Sequence, residues 1–348
     1  MSRILLTGAN GFVASHILHQ LLARGSSVRA VVRSQAKADR LRADHPTATA
    51  AGGQLDFAIV PDIAAPGAFD STLASSTPPI DVVIHTASPF LYSAASKGSD
   101  FLDPAVQGTR QLLLSIKRYA PSVKRVVITS SCAAVVDFDA PVAGGRVYTS
   151  EDWNPVTWEE ALATTSLPTA YRGSKKFAEI AAWDFIRDEN PNFDLVTLCP
   201  PMVYGPLHHT INSIEELNES NSRIWKLFIN SSKDAPLPLN GVHLFVDVRD
   251  LALAHVLAAF TPGASNKRMI ISGAKVSSQD ISDILRGKFP FLAETCPHGS
   301  PGVSSLPADA YTADASPAKE ILGLEFRNVE STFVELGEQL LEIGGRNS

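Results

Sequence analysis

Arg3-Ile4-Leu5-Leu6-Thr7-Gly8-Ala9-Asn10-Gly11-Phe12-Val13-Ala14 is a short apolar run, a glycine-bearing turn and the start of a helical pattern. The run reads as a buried strand, and Val13, Ile17, Leu18, Leu21 and Leu22 then recur at helical spacing. Gly8 and Gly11 permit a tight turn and close backbone approach to a pyrophosphate, while the small Ala14 lets helix and strand pack. The helix N-terminus would turn free N–H groups and its positive dipole end toward those phosphates. Gly-x-x-Gly-x-x-Ala is weak by itself, and an ordinary strand-turn-helix also fits it. Its place between a strand and a helix favours a dinucleotide loop at Thr7, Gly8, Gly11, Phe12 and Val13.

Further along, β-branched runs at 27–32, 55–60, 81–85, 125–129 and 195–198 alternate with helical stretches such as 100–119. That alternation predicts an α/β fold, a doubly wound (Rossmann) parallel sheet covered on both faces. After Cys199-Pro200-Pro201 the alternation fades into Pro- and Asn-rich segments. Residues 1–200 are therefore expected to form the dinucleotide-binding domain. Residues 241–265, a strand and a helix started near Asp247, are expected to return to its sheet. Residues 201–240 and 266–348 would then make a smaller C-terminal substrate-binding domain.

The 348 residues are 45% hydrophobic and 19% charged, with 22 Gly and 23 Pro, which excludes disordered, collagenous and coiled-coil classes. A net charge of −6, with neither sign gathered into a tail or stripe, gives no footprint for nucleic acid. Cys132, Cys199 and Cys296 are far apart and without CxxC spacing, which argues against a disulfide framework or thiolate zinc site and favours a reducing, cytoplasmic setting. The opening apolar run is cut by Gly8 too soon for a signal h-region, and 251–260 falls well short of the ~18 apolar residues of a membrane span. A soluble protein with no membrane partner is expected. His208-His209 lacks a third ligand or HExxH spacing, so no metal is expected, and no Gly-x-Ser-x-Gly elbow supports a serine hydrolase.

The second strand ends in Val31-Val32-Arg33-Ser34-Gln35-Ala36-Lys37. An NAD site usually places a carboxylate there for the ribose 2′-hydroxyl. Here Arg33 and Lys37 could instead meet a 2′-phosphate, which favours NADPH/NADP+. In the helix that starts at Ala170-Tyr171-Arg172-Gly173-Ser174-Lys175, Tyr171, Lys175, Ala178 and Ala182 fall on one face. A lysine directed at close packing needs a compensating partner, and a cation beside a phenol would lower the tyrosine pKa, so the pair reads as a proton donor. Thr129-Ser130-Ser131-Cys132 ends another strand in hydroxyls at the sheet edge where such folds bind ligands. One of the two serines could polarise a carbonyl, and turn capping would explain the other.

Together these motifs resemble the extended short-chain dehydrogenase/reductases, and within them the fungal NADPH-dependent ketone/methylglyoxal reductases and plant dihydroflavonol reductases. The resemblance runs through residues 7–14, 32–34, 62–63, 85–89 (His-Thr-Ala-Ser-Pro), 104–109, 129–131, 171–179, 200–206 (Pro-Pro-Met-Val-Tyr-Gly-Pro) and 245–252. It implies a carbonyl reductase that transfers hydride from NADPH to a ketone or aldehyde. Tyr171 would be the general acid, Ser131 the carbonyl-binding hydroxyl, and Lys175 the group that orients the nicotinamide ribose and tunes the tyrosine. It further implies adenine contacts from Asp62 and Ile63, Thr86 and Ala87 along the cofactor, Pro200 to Val203 beside the nicotinamide, and Phe90, Cys132 and Tyr204 lining the substrate pocket. Cys199 stands where many members carry Asn. The competing readings are a sugar-nucleotide epimerase/dehydratase on the same scaffold, which would need a basic diphosphate site in the second domain, and a non-catalytic NADP(H)-sensing protein. A monomer or homodimer with a small-molecule carbonyl substrate is expected.

Overall fold

Seven short runs, all but the last mostly apolar, form one parallel sheet: β1 Arg3–Thr7, β2 Ser27–Val32, β3 Leu55–Ile59, β4 Val82–His85, β5 Arg125–Thr129, β6 Asp194–Cys199 and β7 Lys267–Ile270. Their lateral order is β7-β6-β5-β4-β1-β2-β3. Every neighbouring pair runs parallel, with Ile4 opposite both Val28 and Val82, and Val127 opposite Val196. The order reverses between β1 and β4, and doubly wound sheets bind ligands outside the carboxyl ends of the strands at such a switch point. The computed structural model describes residues 2–50, 52–88 and 97–345.

Helices cover both faces, as continuous apolar strands require. On one face α1 (Phe12–Ala23) and α5 (Val248–Phe260) bury Ile17, Leu18, Leu21, Leu251 and Val256 against Ile4, Leu6 and Ile84. On the other, α3 (Ser99–Tyr119) and α4 (Leu167–Glu189) bury Leu112, Ile116, Ala182 and Phe185 against Val83, Val126 and Leu195. Between α1 and α3 in sequence, α2 (Gln35–Asp44) follows β2 after two intervening residues. A separate core holds Phe228, Phe245, Leu285, Phe333 and Leu336, where helices Ser278–Lys288 and Val329–Ile343 pack.

The return of 241–265 to the main sheet is half realised. Helix α5 packs on it, but strand Leu244–Asp247 pairs with Met202–Tyr204 in parallel and with Ala274–Lys275 antiparallel, in a small three-stranded sheet. The main sheet instead gains β7, from the segment assigned by sequence to the smaller domain. An apolar run does not declare which sheet it joins. Among the described residues no helix is long and apolar enough to cross a membrane.

Candidate active site

The turn after β1 depends on Gly8, whose φ is +66° and whose missing Cβ would lie 3.0 Å from Ala87 Cα. A side chain there would be strained and would collide with backbone. Gly11 N donates to Gly8 O at 2.8 Å and caps α1 without any side-chain hydrogen bond, and the first turn of that helix carries no acidic residue. Thr7 braces the loop to the end of β4. Its Oγ1 pairs with His85 Nδ1 at 2.7 Å and accepts from Ala87 N at 3.2 Å, and Thr86 Oγ1 donates to Thr7 O at 2.6 Å. Phe12 and Val13 are partly exposed on the first turn.

Beyond the loop, Arg33 is exposed at the end of β2. Lys37, one turn into α2, lines a cleft of about 410 Å³ with Asn10, Gly11, Phe12 and Arg40. Glu216 and His209 border the cleft opposite, and Arg40 is paired with Glu216 at 3.1 Å. Asp62 is exposed and accepts from Ala64 N at 2.9 Å, while Ile63 packs where a Cβ on Gly108 would lie, 3.0 Å from Ile63 Cδ1. A glycine cradle at a helix N-terminus, with cations and no carboxylate at the end of β2, fits NADP(H). Thr7, Gly8, Gly11, Phe12 and Val13 would face the pyrophosphate, and Arg33 and Lys37 the 2′-phosphate.

Pro168 lies in the first turn of α4, whose Ser166 cap accepts from Thr169 N, so the helix begins just before Tyr171. Ser131, the second residue after β5, caps the short turn Cys132–Ala134 through a 3.0 Å hydrogen bond from Ala133 N. The Tyr171 phenol is close enough to Ser131 for that hydroxyl to favour its ionised form, but burial outweighs the contact and holds the phenol above its ordinary pKa. The expectation that Lys175 lowers this pKa is not met. Lys175 Nζ lies 5.9 Å from the centre of the Tyr171 ring and donates to Ser88 Oγ at 3.1 Å. Burial brings the Lys175 ammonium down to about 8. His85, fully enclosed beside it, is pushed down to about 3 by burial and then by the Lys175 charge, so it is a neutral ring.

Two residues expected in the substrate pocket are core residues. Cys132 is 1% exposed, its thiol is pushed up to about 12 by burial, and its Sγ contacts Cys199 O at 3.3 Å. Tyr204 is 3% exposed, with its ring 5.1 Å from that of Phe333 and its hydroxyl paired with Arg223. Both follow motif residues in sequence, but the chain turns them inward. Phe90 lies outside the described residues. Pro200 O accepts from Cys132 N at 2.8 Å, tying the turn after β6 to the Ser131 segment, and Val203 packs beside the α1/α5 core. Sequence reading gave no role to His85, Ser88, Glu179 or Arg268. Glu179, one turn beyond Lys175, is a buried carboxylate on the same helix. His208 lies against His19 with ring centres 4.2 Å apart and planes tilted by 49°. Among the described residues no group of three His, Cys, Asp or Glu is arranged for a metal ion.

The sequence profile of the NAD dependent epimerase/dehydratase family matches residues 4–272. Over 340 residues the chain is 39% identical to a ketoreductase of Aspergillus niger, covering 98% of each chain. It is 37% identical to the NADPH-dependent methylglyoxal reductase of Saccharomyces cerevisiae over 347 residues, 99% of each. The crystal structure of the yeast methylglyoxal/isovaleraldehyde reductase complexed with NADPH superposes with a TM-score of 0.91 at 36% identity, covering 99% of this chain and 100% of that one.

Proposed function

The chain belongs to the NAD dependent epimerase/dehydratase family, and from that premise we propose that it is an NADPH-dependent carbonyl reductase acting on a small ketone or aldehyde. The observation that carries this reading is the approach of Tyr171 to Ser131, with Lys175 one turn along the same helix, at the carboxyl edge of the sheet that also holds the glycine loop. When bound, NADPH supplies the hydride. Ser131 Oγ would hold the substrate oxygen, and the Tyr171 hydroxyl would give it a proton as negative charge develops there. A phenol whose pKa is raised by burial is protonated at neutral pH, so it stands ready as the acid in the reducing direction. Lys175 would orient the nicotinamide ribose.

A sugar-nucleotide reading needs free cations in the second lobe. Arg223 donates to Leu239 O and meets Tyr204, Lys233 is exposed but paired with Glu294, and Lys226 is exposed. The test is NADPH consumption over diketones, keto esters, aryl ketones and aldehydes, with Tyr171→Phe as control. Positioned proton transfer contributes on the order of 10²–10⁴-fold. Tyr171→Phe should lose that factor in kcat and still bind NADPH. No turnover over the whole panel would instead favour an NADP(H)-sensing protein, and near-normal kcat in Tyr171→Phe would remove the tyrosine from the chemistry.

A further inference from the structure

Glu179 is 2% exposed, and its carboxylate collects hydroxyls and a guanidinium from three neighbouring strands. Ser130 Oγ, directly after β5, donates to Oε2 at 2.6 Å; Thr197 Oγ1 of β6 donates to Oε1 at 2.7 Å; Arg268 of β7 donates through Nε to Oε1 at 2.8 Å and through Nη2 to Oε2 at 3.3 Å. Arg268 then reaches past the carboxylate. Its Nη1 donates to Ser150 O and Asp152 O at 2.7 and 2.6 Å, its Nη2 approaches Ala134 O at 3.4 Å, and the guanidinium lies 3.8 Å from the centre of the Trp153 ring.

Ser131 therefore sits inside a five-residue segment, 130–134, that one buried ion pair grips at both ends. Glu179 holds the residue before it, and Arg268 contacts the carbonyl that closes the turn it caps. Backbone bonds from Ser130 N to Leu198 O and from Cys132 N to Pro200 O, both 2.8 Å, fix the segment sideways. Burying two charges is costly even when they are paired, and well-packed apolar residues can often replace such a pair without loss of stability. A geometric task explains its presence better, since a misplacement of about 1 Å near reacting atoms can cost on the order of 10²-fold in rate.

We propose that the Glu179–Arg268 pair is a positioning device that acts through Ser130 to aim the Ser131 hydroxyl at the substrate oxygen. The proposal rests on the reading of Ser131 given above. Ser130 is the direct link, because Ser130→Ala cuts the tether while leaving both charges paired and solvent excluded. Glu179→Gln strikes the device at its charge but threatens the fold, so the Ser130 variants decide.

The experiment measures single-turnover NADPH oxidation, NADPH affinity and urea unfolding for Ser130→Ala, Ser130→Thr, Ser131→Ala and the Ser130→Ala/Ser131→Ala double variant. Ser130→Ala should lose at least about tenfold in the hydride-transfer rate with NADPH affinity within about twofold of wild type. Ser130→Thr should recover most of the loss. In the double variant the Ser130 effect should vanish, because nothing is left to aim. Wild-type rates in Ser130→Ala, or an equal further loss when Ser131 is already alanine, would overturn the tether alone. Wild-type rates in Ser131→Ala would overturn the reading of Ser131 and the tether with it.

Discussion

Lys175 Nζ is bound to Ser88 Oγ at 3.1 Å, so the cation of α4 is anchored to the loop after β4 and not to the phenol one turn behind it. The lysine is thus positioned by a neighbour that interacts with its hydrogen-bond donors but leaves its charge uncompensated. That explains why burial dominates its titration, and why the tyrosine feels burial and Ser131 and not the lysine.

The pH dependence of stability follows. Lys175 titrates near 8 in the folded chain against 10.5 ordinarily, so between those values the unfolded chain binds more protons and folded stability rises with pH. Below pH 8 the cost of the buried charge is fully present. Lys175→Met is expected to melt higher than wild type near pH 7 in the absence of NADPH, with the gap closing as pH climbs from 8 toward 10. NADPH titration of the same variant should show weaker binding. A constant gap across the pH range would show that packing, and not charge, separates the two proteins.

On the proposed function, cofactor preference would be set at the exposed end of β2. Arg33 is exposed and Lys37 partly exposed there, with no carboxylate between them in sequence, and both would meet a 2′-phosphate. Losing a hydrogen bond to a charged group costs roughly 1.5–3 kcal/mol, or about ten- to a hundredfold in affinity. Wild type should favour NADPH over NADH by a factor of that size, and Arg33→Asp should erode or reverse the preference. Comparing kcat/KM for the two nucleotides checks this, and equal use of both by wild type would unseat Arg33.

The glycine loop offers a test that joins fold to binding. Gly8→Ala would place a side chain at φ +66° and 3.0 Å from Ala87 Cα. A strained backbone of this kind costs on the order of 1–3 kcal/mol. Urea unfolding should show that loss, and fluorescence titration should show weaker NADPH binding. Unchanged NADPH affinity in a destabilised variant would mean that the loop shapes the fold without touching the nucleotide.

Parallel strands buried on both faces read as plain apolar runs, and six of the seven main-sheet strands were legible for that reason. The seventh, Lys267-Arg268-Met269-Ile270, opens with two charges and lies at the sheet edge, so its pattern does not announce a strand. The run Leu244–Asp247 has the opposite character, wholly buried and apolar up to Asp247, yet it belongs to the small sheet. Tyr171 and Lys175 were legible because helical spacing puts them on one face. Glu179 and Arg268 were not, since they are 89 residues apart and meet only through the order of β5, β6 and β7. Cys132 and Tyr204 show the converse error: adjacency to a motif suggested a pocket, whereas the chain direction after each motif carries the side chain into a core.

That same separation between Glu179 and Arg268 bears on how the chain comes to fold during synthesis. When residues 1–200 have been made, α4 already carries a carboxylate destined for the interior, but its cation and the edge strand bearing it are still unmade. Residues 1–200 are consequently expected not to fold as an autonomous unit. It must wait for a strand delivered by the far side of the second lobe. A fragment ending at Pro200 should be loosely packed and quickly proteolysed, and a cooperative melt from such a fragment would show that the sheet can close without β7.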